Sequence, residues 1–478
     1  MSGLALGIDL GTTAVKAAIL DGEGRLIRSG SAPARVLAGP NGLAEQEAEG
    51  IWRDARDAVR SALSGTALGP AVRAVALSSQ GGTLVLLDDA GAPIGNAISW
   101  MDTRPARLGP ALLQGRDDAF FYEKTGWSLR LGALPLAQLL RLRAEAPETL
   151  RRARRVHFVD SYVVERLVGE GACDPSDAAI TMLYNVRERR WDAELLALAG
   201  IVEGTLPRVV ASGTPLGRIR GEAAAELGIS PEATIVAGGH DQYCAAFGAG
   251  CTRAGETIVS CGTAWVVLAM TSDPRFDREA RLAPAEAVAG GLWGLLGSCS
   301  GVGAAVGWFR HAASGAEIPF ETLEAAAAAV EPAADGIVFV PPASDRGGRL
   351  LGLRLHHGFG HVARAVLEGP ALGARALLAR MRKAGCEPSA LRAVGGATRS
   401  RPWMQILSDA TGLPLEIAGV QDVASYGAAR LAGQSTGLIP PDAPWPAARA
   451  PGAGDGSRIE PRPEFREAYD ALFERFGG

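Results

Sequence analysis

Residues 4–20 read Leu4-Ala5-Leu6-Gly7-Ile8-Asp9-Leu10-Gly11-Thr12-Thr13-Ala14-Val15-Lys16-Ala17-Ala18-Ile19-Leu20, two apolar runs joined by a Gly-Thr-Thr turn. Short apolar runs around a Gly-containing turn predict an antiparallel hairpin. A second turn, Asp21-Gly22-Glu23-Gly24, leads to a third run at Leu26–Ser29. The first turn also carries chemistry. Gly11, Thr12 and Thr13 aim backbone N–H groups and two Oγ atoms at one point, which suits a phosphate. Asp9, ending a buried strand, could hold magnesium directly or through water. Lys16 could add a point charge nearby. An ordinary hairpin with a capping Asp explains the same residues equally well.

Outward from this stretch, Ile51–Leu63 has helical spacing, and strands are expected at Val72–Ser78, Thr83–Leu87 and Ile98–Met101. Helices should dominate from Pro135 to Leu167. A second unit is expected from about residue 245, where Thr257–Val259 and Trp265–Ala269 flank Cys261-Gly262-Thr263 and echo the first hairpin. Helices follow at 301–314, 321–330, 360–383 and 401–411, with strands at Gly336–Val340, Ala393–Val394 and Pro414–Ile417. The Pro/Gly-rich segment 438–463 reads as a surface connector before a terminal helix, Glu464–Phe476. The expected division is 1–244, 245–437 and 438–478.

Composition narrows the function. With 478 residues, 47% apolar and 21% charged, the chain can bury sizeable cores. A net charge of −4 gives no positive field for nucleic acid. Of 48 basic residues only Lys16, Lys124 and Lys383 are lysines. Six scattered cysteines with no C-x-x-C pair predict reduced thiols in a cytoplasmic compartment. The N-terminal residues run straight into a strand with no basic n-region, so no leader peptide is expected. Ala287–Phe309 is uncharged, but its seven glycines favour a strand, a turn and a helix over a membrane span.

Two further motifs stand out. In Ala237-Gly238-Gly239-His240-Asp241-Gln242 a carboxylate opens an Ala/Gly-rich helix beside two glycines, a good position for a general base. A plain helix-capping Asp is the bland alternative. Val394-Gly395-Gly396-Ala397-Thr398-Arg399-Ser400 runs from a strand into a helix containing Trp403, where glycines allow a flat or anionic ligand to approach. Selection for packing alone would also produce that turn.

Together these residues resemble the FGGY family of carbohydrate kinases, within the actin/Hsp70/sugar-kinase superfamily, from about residue 4 to 433. Asp9-x-Gly11-Thr12-Thr13-x-x-Lys16 resembles its first phosphate motif and Ile258-x-x-x-Gly262-Thr263 its second. Gly238-Gly239-x-Asp241-Gln242 resembles the catalytic segment, and Trp100-x-Asp102-x-Arg104 the sugar-side motif. Gly395-Gly396-Ala397-x-x-Ser400-x-x-Trp403-x-Gln405 resembles the adenosine motif. Ala424-Ser425-Tyr426-Gly427-Ala428-Ala429 resembles a late small-residue helix, where many members have Leu at Tyr426.

The resemblance implies an α/β fold of two RNase-H-like, actin-like ATPase lobes with a central ligand cleft. It implies ATP and Mg2+, a small sugar substrate, a homodimer as one expected arrangement, and no nucleic-acid or membrane partner. Asp241 would be the catalytic base, with Asp9 and Asp241 near the metal. ATP would contact Gly11, Thr12, Thr13, Lys16, Gly262, Thr263, Gly395, Gly396, Ala397 and Ser400. The sugar would contact Gln80, Gly81, Gly82, Trp100, Asp102, Asp241 and Gln242. Phosphoryl transfer depends on alignment and charge stabilisation, which such a site supplies.

The segment Ser79–Asp88, with Glu45-Gln46 and Asp174–Asp177, is nearest the xylulokinase-like branch, so a ketopentose such as xylulose is expected. Ribulose, fuculose or a tetrulose are alternatives, as is a chaperone-like ATPase. Xylulokinases usually have Met-His where Gly81-Gly82 stands, and glycerol kinases Arg-Glu, so a wider cavity that disfavours glycerol is expected. Gln242 matches the glycerol kinases, where xylulokinases usually have Asn. The loop Ala343–Arg349 is shorter than usual. Gly301-x-Gly303-x-x-x-Gly307 misses the dinucleotide spacing, and no P-loop signature occurs. His356, His357 and His361 lack a Cys or carboxylate at ligand spacing, which argues against a metal there.

Overall fold

A computed structural model describes residues 3–129, 133–277, 279, 282–299, 301–312, 317–342, 347–447 and 458–477. Within it the chain forms two compact units. The first comprises residues 1–252, 272–294 and 422–445, and the second 253–271, 295–421 and 446–478.

The first unit is built on a six-stranded sheet ordered Pro215–Arg218, Thr234–His240, Val72–Ser79, Leu4–Leu10, Ala14–Leu20, Leu26–Pro33. Leu4–Leu10 pairs antiparallel with Ala14–Leu20, as the turn chemistry predicts, and parallel with Val72–Ser79. Period-two alternation sends Leu6, Ile8 and Leu10 into one core, where they meet Ile51, Trp52, Ala55 and Val59. Those four lie on the buried stripe of the helix Ala48–Leu63, recurring at helical spacing. Gly7 belongs to the opposite set and meets the helix Val423–Ser435. A Cβ there would stand 2.0 Å from the Ser425 carbonyl oxygen, so only glycine allows this approach. The same helix crosses Asp241–Gly248 with equal closeness, since a Cβ on Gly427 would lie 2.0 Å from the Cys244 oxygen.

The second unit repeats the hairpin theme. Its strands are ordered Trp293–Cys299, Trp265–Thr271, Thr257–Cys261, Leu391–Val394, Leu415–Ile417, Arg458–Ile459. Thr257–Cys261 pairs antiparallel with Trp265–Thr271 and parallel with Leu391–Val394, as the first hairpin does in its own sheet. The helix Phe359–Lys383 buries Arg364 and Glu368 one turn apart. Their 2.8 Å ion pair is closed by the Tyr469 hydroxyl, which donates to Glu368 at 2.9 Å. The hydroxyl meets some of the desolvation cost of burying the two charges.

The uncharged stretch 287–309 resolves into the strand Trp293–Cys299 and the start of the helix Val302–Ala312. Among the described residues no helix is long and apolar enough to cross a membrane. Part of the Pro/Gly-rich connector, 448–457, and residues 343–346 of the short loop lie outside the described residues. The strand Thr234–His240, which the sequence reading did not anticipate, delivers Asp241 to its place.

Candidate active site

Sheet register assembles the first half of the site. Asp9 lies opposite Lys16 on one neighbouring strand and opposite Ser78 on the other. Ser78 in turn lies opposite Gly239, two residues before Asp241. Three segments far apart in sequence thus present side chains at one strand end. Gly238 sits at an irregularity in this pairing, where a Cβ would fall 1.6 Å from the Leu77 carbonyl oxygen. Asp241 is the first residue of the helix Asp241–Gly248, preceded by His240 as its cap. It therefore does not play the capping role of the bland reading.

Two carboxyls in this corner resist ionisation. Burial pushes the Asp9 carboxyl up to about 7, and the nearby charge of Asp241 adds to the shift. The Ser78 hydroxyl, donating to Asp9 Oδ1 at 2.7 Å, and Lys16 pull the other way. Burial pushes Asp241 up to about 6 against hydrogen bonds from Gln242. About a third of the Asp241 side chain remains accessible, so the group is recessed yet reachable. Two repelling carboxylates of this kind fit a hard divalent cation, which takes oxygen ligands.

Around them the sequence-predicted sugar residues divide into two groups. Trp100 Nε1 donates to Thr12 Oγ1 at 3.0 Å, Thr12 donates to Gln80 Oε1, and Gln80 Nε2 donates to Gln46 Oε1 at 2.8 Å. This polarised chain fixes Gln80 and engages the Thr12 hydroxyl proton. The Trp100 ring is 42% exposed and free to meet a ligand. Asp102, by contrast, is fully buried. Its oxygens accept from the backbone of Ala44 and Arg104 and from the Arg104 guanidinium. Although burial alone would raise its pKa, those donors hold its carboxyl below the usual range. The Arg104 guanidinium also reaches Glu45 at 2.7 Å. Asp102 thus organises the site and presents no oxygen for a sugar.

The space expected beside Gly81-Gly82 is filled. Both glycines are buried. A Cβ on Gly81 would stand 2.4 Å from His240 Cδ2 and 2.7 Å from Ile180 Cγ2. Gly82 has φ +79°, favouring glycine, and faces Leu134, Trp100 and Pro135 at 3.2–3.6 Å. Missing side chains have been replaced by neighbours, so the wider cavity does not follow. Gln242 keeps a buried Oε1 without a partner, as does His240 at Nδ1.

In the second unit, Gly262 and Thr263 form the exposed apex of the hairpin. The N-terminal end of the helix Val302–Ala312 rests on this apex: Gly303 N and Ala304 N donate to the Thr263 carbonyl at 3.0 and 3.2 Å. Gly395, at φ +95°, lies against the Cys261 backbone, where a Cβ would be 2.8 Å from the carbonyl oxygen. It holds the third motif against the second. Gly396 is exposed and a Cβ there meets nothing within 4 Å, leaving room for a ligand. Ala397 is half-buried beside it. Ser400 is buried, accepting from Trp403 N at 3.0 Å and donating to Glu324. Its hydroxyl caps the helix Arg401–Thr411 and is not offered to a nucleotide.

A carboxylate absent from the local sequence pattern does join the histidines. Asp335 Oδ2 lies 2.7 Å from His356 Nε2 and 3.1 Å from His357 Nε2. These are ligand types within metal-site spacing. However, His357 Nδ1 accepts from Arg354 N–H at 3.0 Å, which leaves its proton on Nε2 facing Asp335. That tautomer makes a hydrogen-bonded cluster instead of a lone pair for a metal. The two imidazoles hold the Asp335 carboxyl at about 2.

Comparison with known proteins places this geometry. Residues 4–248 match the N-terminal domain, and 257–435 the C-terminal domain, of the FGGY family of carbohydrate kinases. The chain is 33% identical to a glycerol kinase of Gloeobacter violaceus, covering 92% of this chain and 89% of that one. It is 29% identical to the autoinducer-2 kinase of Escherichia coli, covering 91% and 86%. The structure superposes on xylulose kinase from Rhodospirillum rubrum with a TM-score of 0.88 and 27% identity, covering 99% and 97%. The chain belongs to the FGGY family of carbohydrate kinases, with that family's two-domain α/β fold. It is a carbohydrate kinase that uses ATP to phosphorylate a sugar or polyol.

Proposed function

We propose that the acceptor is a ketopentose such as xylulose and that Asp241 is the general base. The observation that carries the base assignment is the recessed Asp241 carboxyl, with a pKa near 6, at a helix start beside a second carboxylate. A base of that strength is largely ionised at pH 7 yet retains affinity for a proton. The acceptor hydroxyl gives its proton to Asp241 as its oxygen bonds to the γ-phosphorus. The bond from that phosphorus to the β-phosphate bridging oxygen breaks, and ADP leaves. Backbone N–H groups at Thr12–Thr13 and Gly262–Thr263 suit phosphate oxygens. Asp9 and Asp241 would hold Mg2+, which neutralises charge on the phosphates. Trp100 offers an exposed ring to the acceptor, and Gln242, next to the base, holds a buried amide oxygen without a protein partner.

The fold match to xylulose kinases and the 28% identity to a probable L-xylulose kinase of Pasteurella multocida support a ketopentose. Glycerol is the second reading, favoured by Gln242 and by the relative at 33% identity. A coupled ADP-release screen over ketopentoses, ketohexoses, tetruloses and polyols tests both. A ketopentose should give the highest kcat/KM. If glycerol leads, the second reading replaces the first. If no acceptor stimulates ADP release, both fail.

A further inference from the structure

We infer that His240 is a specificity-determining residue of the acceptor site, its imidazole standing in for the side chain that position 81 lacks. The inference rests on the kinase reading above and concerns how that site selects its substrate. An ideal Cβ on Gly81 would be 2.4 Å from His240 Cδ2 and 2.8 Å from Nε2, both well inside van der Waals contact. Glycine at 81 and imidazole at 240 are therefore mutually dependent. Any side chain at 81 must displace the ring, with a smaller shift of the Ile180 methyl at 2.7 Å, and any smaller residue at 240 must leave a void beside the base.

The ring is held from several sides. His240 N donates to Ser176 Oγ at 3.0 Å, and that hydroxyl is tied to Asp174 at 2.8 Å. Tyr243 packs edge-to-face on the imidazole with centroids 6.0 Å apart. On the remaining edge, Nε2 lies 3.5 Å from Asp241 Oδ1. That gap is too long for a strong hydrogen bond between them. A hydroxyl seated against Asp241 Oδ1 comes within reach of His240 Nε2 as well, so the pair can grip one acceptor oxygen together. Nδ1 is buried without a partner. A ring kept in place despite an unmatched nitrogen fits a residue retained for its effect on ligand, since an apolar residue of similar size would fill the space without that cost. The acceptor recess is thus walled by a residue of the catalytic segment, in place of one from the loop after Val72–Ser79.

The experiment is a cycle of Gly81→Ala, His240→Ala and the double variant, with His240→Asn as a shape-conserving control. Each is measured by thermal unfolding and by kcat/KM over the acceptor panel. Gly81→Ala should lower both Tm and kcat/KM, and the double variant should recover Tm relative to Gly81→Ala. His240→Ala should shift the kcat/KM ratio between six-carbon and three-carbon acceptors by about tenfold or more. His240→Asn should shift it less. Additive Tm changes in the cycle, or an unchanged acceptor ranking in both His240 variants, would overturn the inference. If Gly81→Ala does not fold, recovery by the second substitution supports the coupling and continued failure overturns it. Wild-type protein with no acceptor-dependent ADP release overturns the kinase reading itself. Normal wild-type turnover with unshifted variants overturns only the role of His240.

Discussion

Lys16 Nζ lies 2.8 Å from Asp422 Oδ1, joining the first hairpin to the residue that precedes the helix Val423–Ser435. The side chains are 40% and 37% exposed, so the pair contributes about 0–1 kcal/mol. Its importance is positional. Lys16 faces Asp9 across the strands, and serving a phosphate requires its ammonium to exchange Asp422 for the ligand. Lys16→Met should leave Tm nearly unchanged and raise KM for ATP about tenfold, as expected for loss of a charge-assisted contact. Asp422→Asn, which frees the ammonium, should leave that KM equal or lower it. Unchanged ATP kinetics in both variants would confine Lys16 to the pair.

Asp241→Asn should reduce kcat by about 10²–10⁴-fold, the usual loss for a general base. It should not reduce stability. The folded-state pKa near 6 lies above the ordinary 3.8, so the ionised carboxylate costs stability once pH rises through that window. The variant should therefore melt at or above the wild-type Tm at pH 8. In the wild type, kcat/KM should fall below about pH 7 as first Asp9 and then Asp241 take up protons. Near-normal turnover by the variant, or a flat acid limb, would remove Asp241 from the role of base.

Asp160 provides a stability test away from the chemistry. It is buried in the helix Val159–Val168, Oδ1 has no partner, and burial with the nearby Asp174 pushes its carboxyl to about 7. Here too the folded pKa is raised, so the stabilising protonated form prevails below the shifted value and stability declines as pH rises from about 4 to 7. Asp160→Asn keeps the shape and removes the charge. It should raise Tm at pH 8, by a free energy on the order of a few kcal/mol, and raise it clearly less at pH 5, where only the first part of that decline has occurred. Calorimetry at both pH values decides; equal effects at the two would contradict a buried charge.

Two adjacent glycines should respond in opposite ways. Gly395→Ala places a Cβ against the Cys261 backbone at φ +95° and should destabilise the second unit by about 1–3 kcal/mol. A Cβ on Gly396 meets no protein atom within 4 Å, so Gly396→Val should fold normally while weakening ATP binding. Calorimetric titration with a non-hydrolysable ATP analogue, beside thermal melts, separates the two. Unchanged nucleotide affinity in Gly396→Val would move the adenosine site elsewhere.

Features set by local chemistry were legible in the sequence. The hairpin 4–20 follows from two apolar runs and a Gly-Thr-Thr turn, and the helix Ala48–Leu63 from its apolar spacing. Each was visible because the cause lies within a few residues. Long-range contacts were not. Nothing near Gly81 indicates that a ring 159 positions later occupies its space. Asp102 looked like a ligand because buried and offered carboxylates read alike until Arg104 is seen closing on it. Ser400 sits in a ligand-like motif but caps a helix. Asp335 joins His356 from 21 residues away, beyond any local spacing rule.

The helix Val423–Ser435 completes the face of the sheet that carries Gly7, yet the chain reaches it only after passing through residues 253–271 and 295–421 of the second unit. During synthesis the completed sheet of the first unit must therefore wait, with one apolar face uncovered, for residues 241–422 to emerge. Loop closure over such a distance is slow, and the exposed sheet is a template for wrong pairing meanwhile. The assembly schedule of this kinase is thus set by its last small-residue helix. Substitutions at buried Gly427, where the helix meets Cys244, should act first on the yield of native protein in the cell.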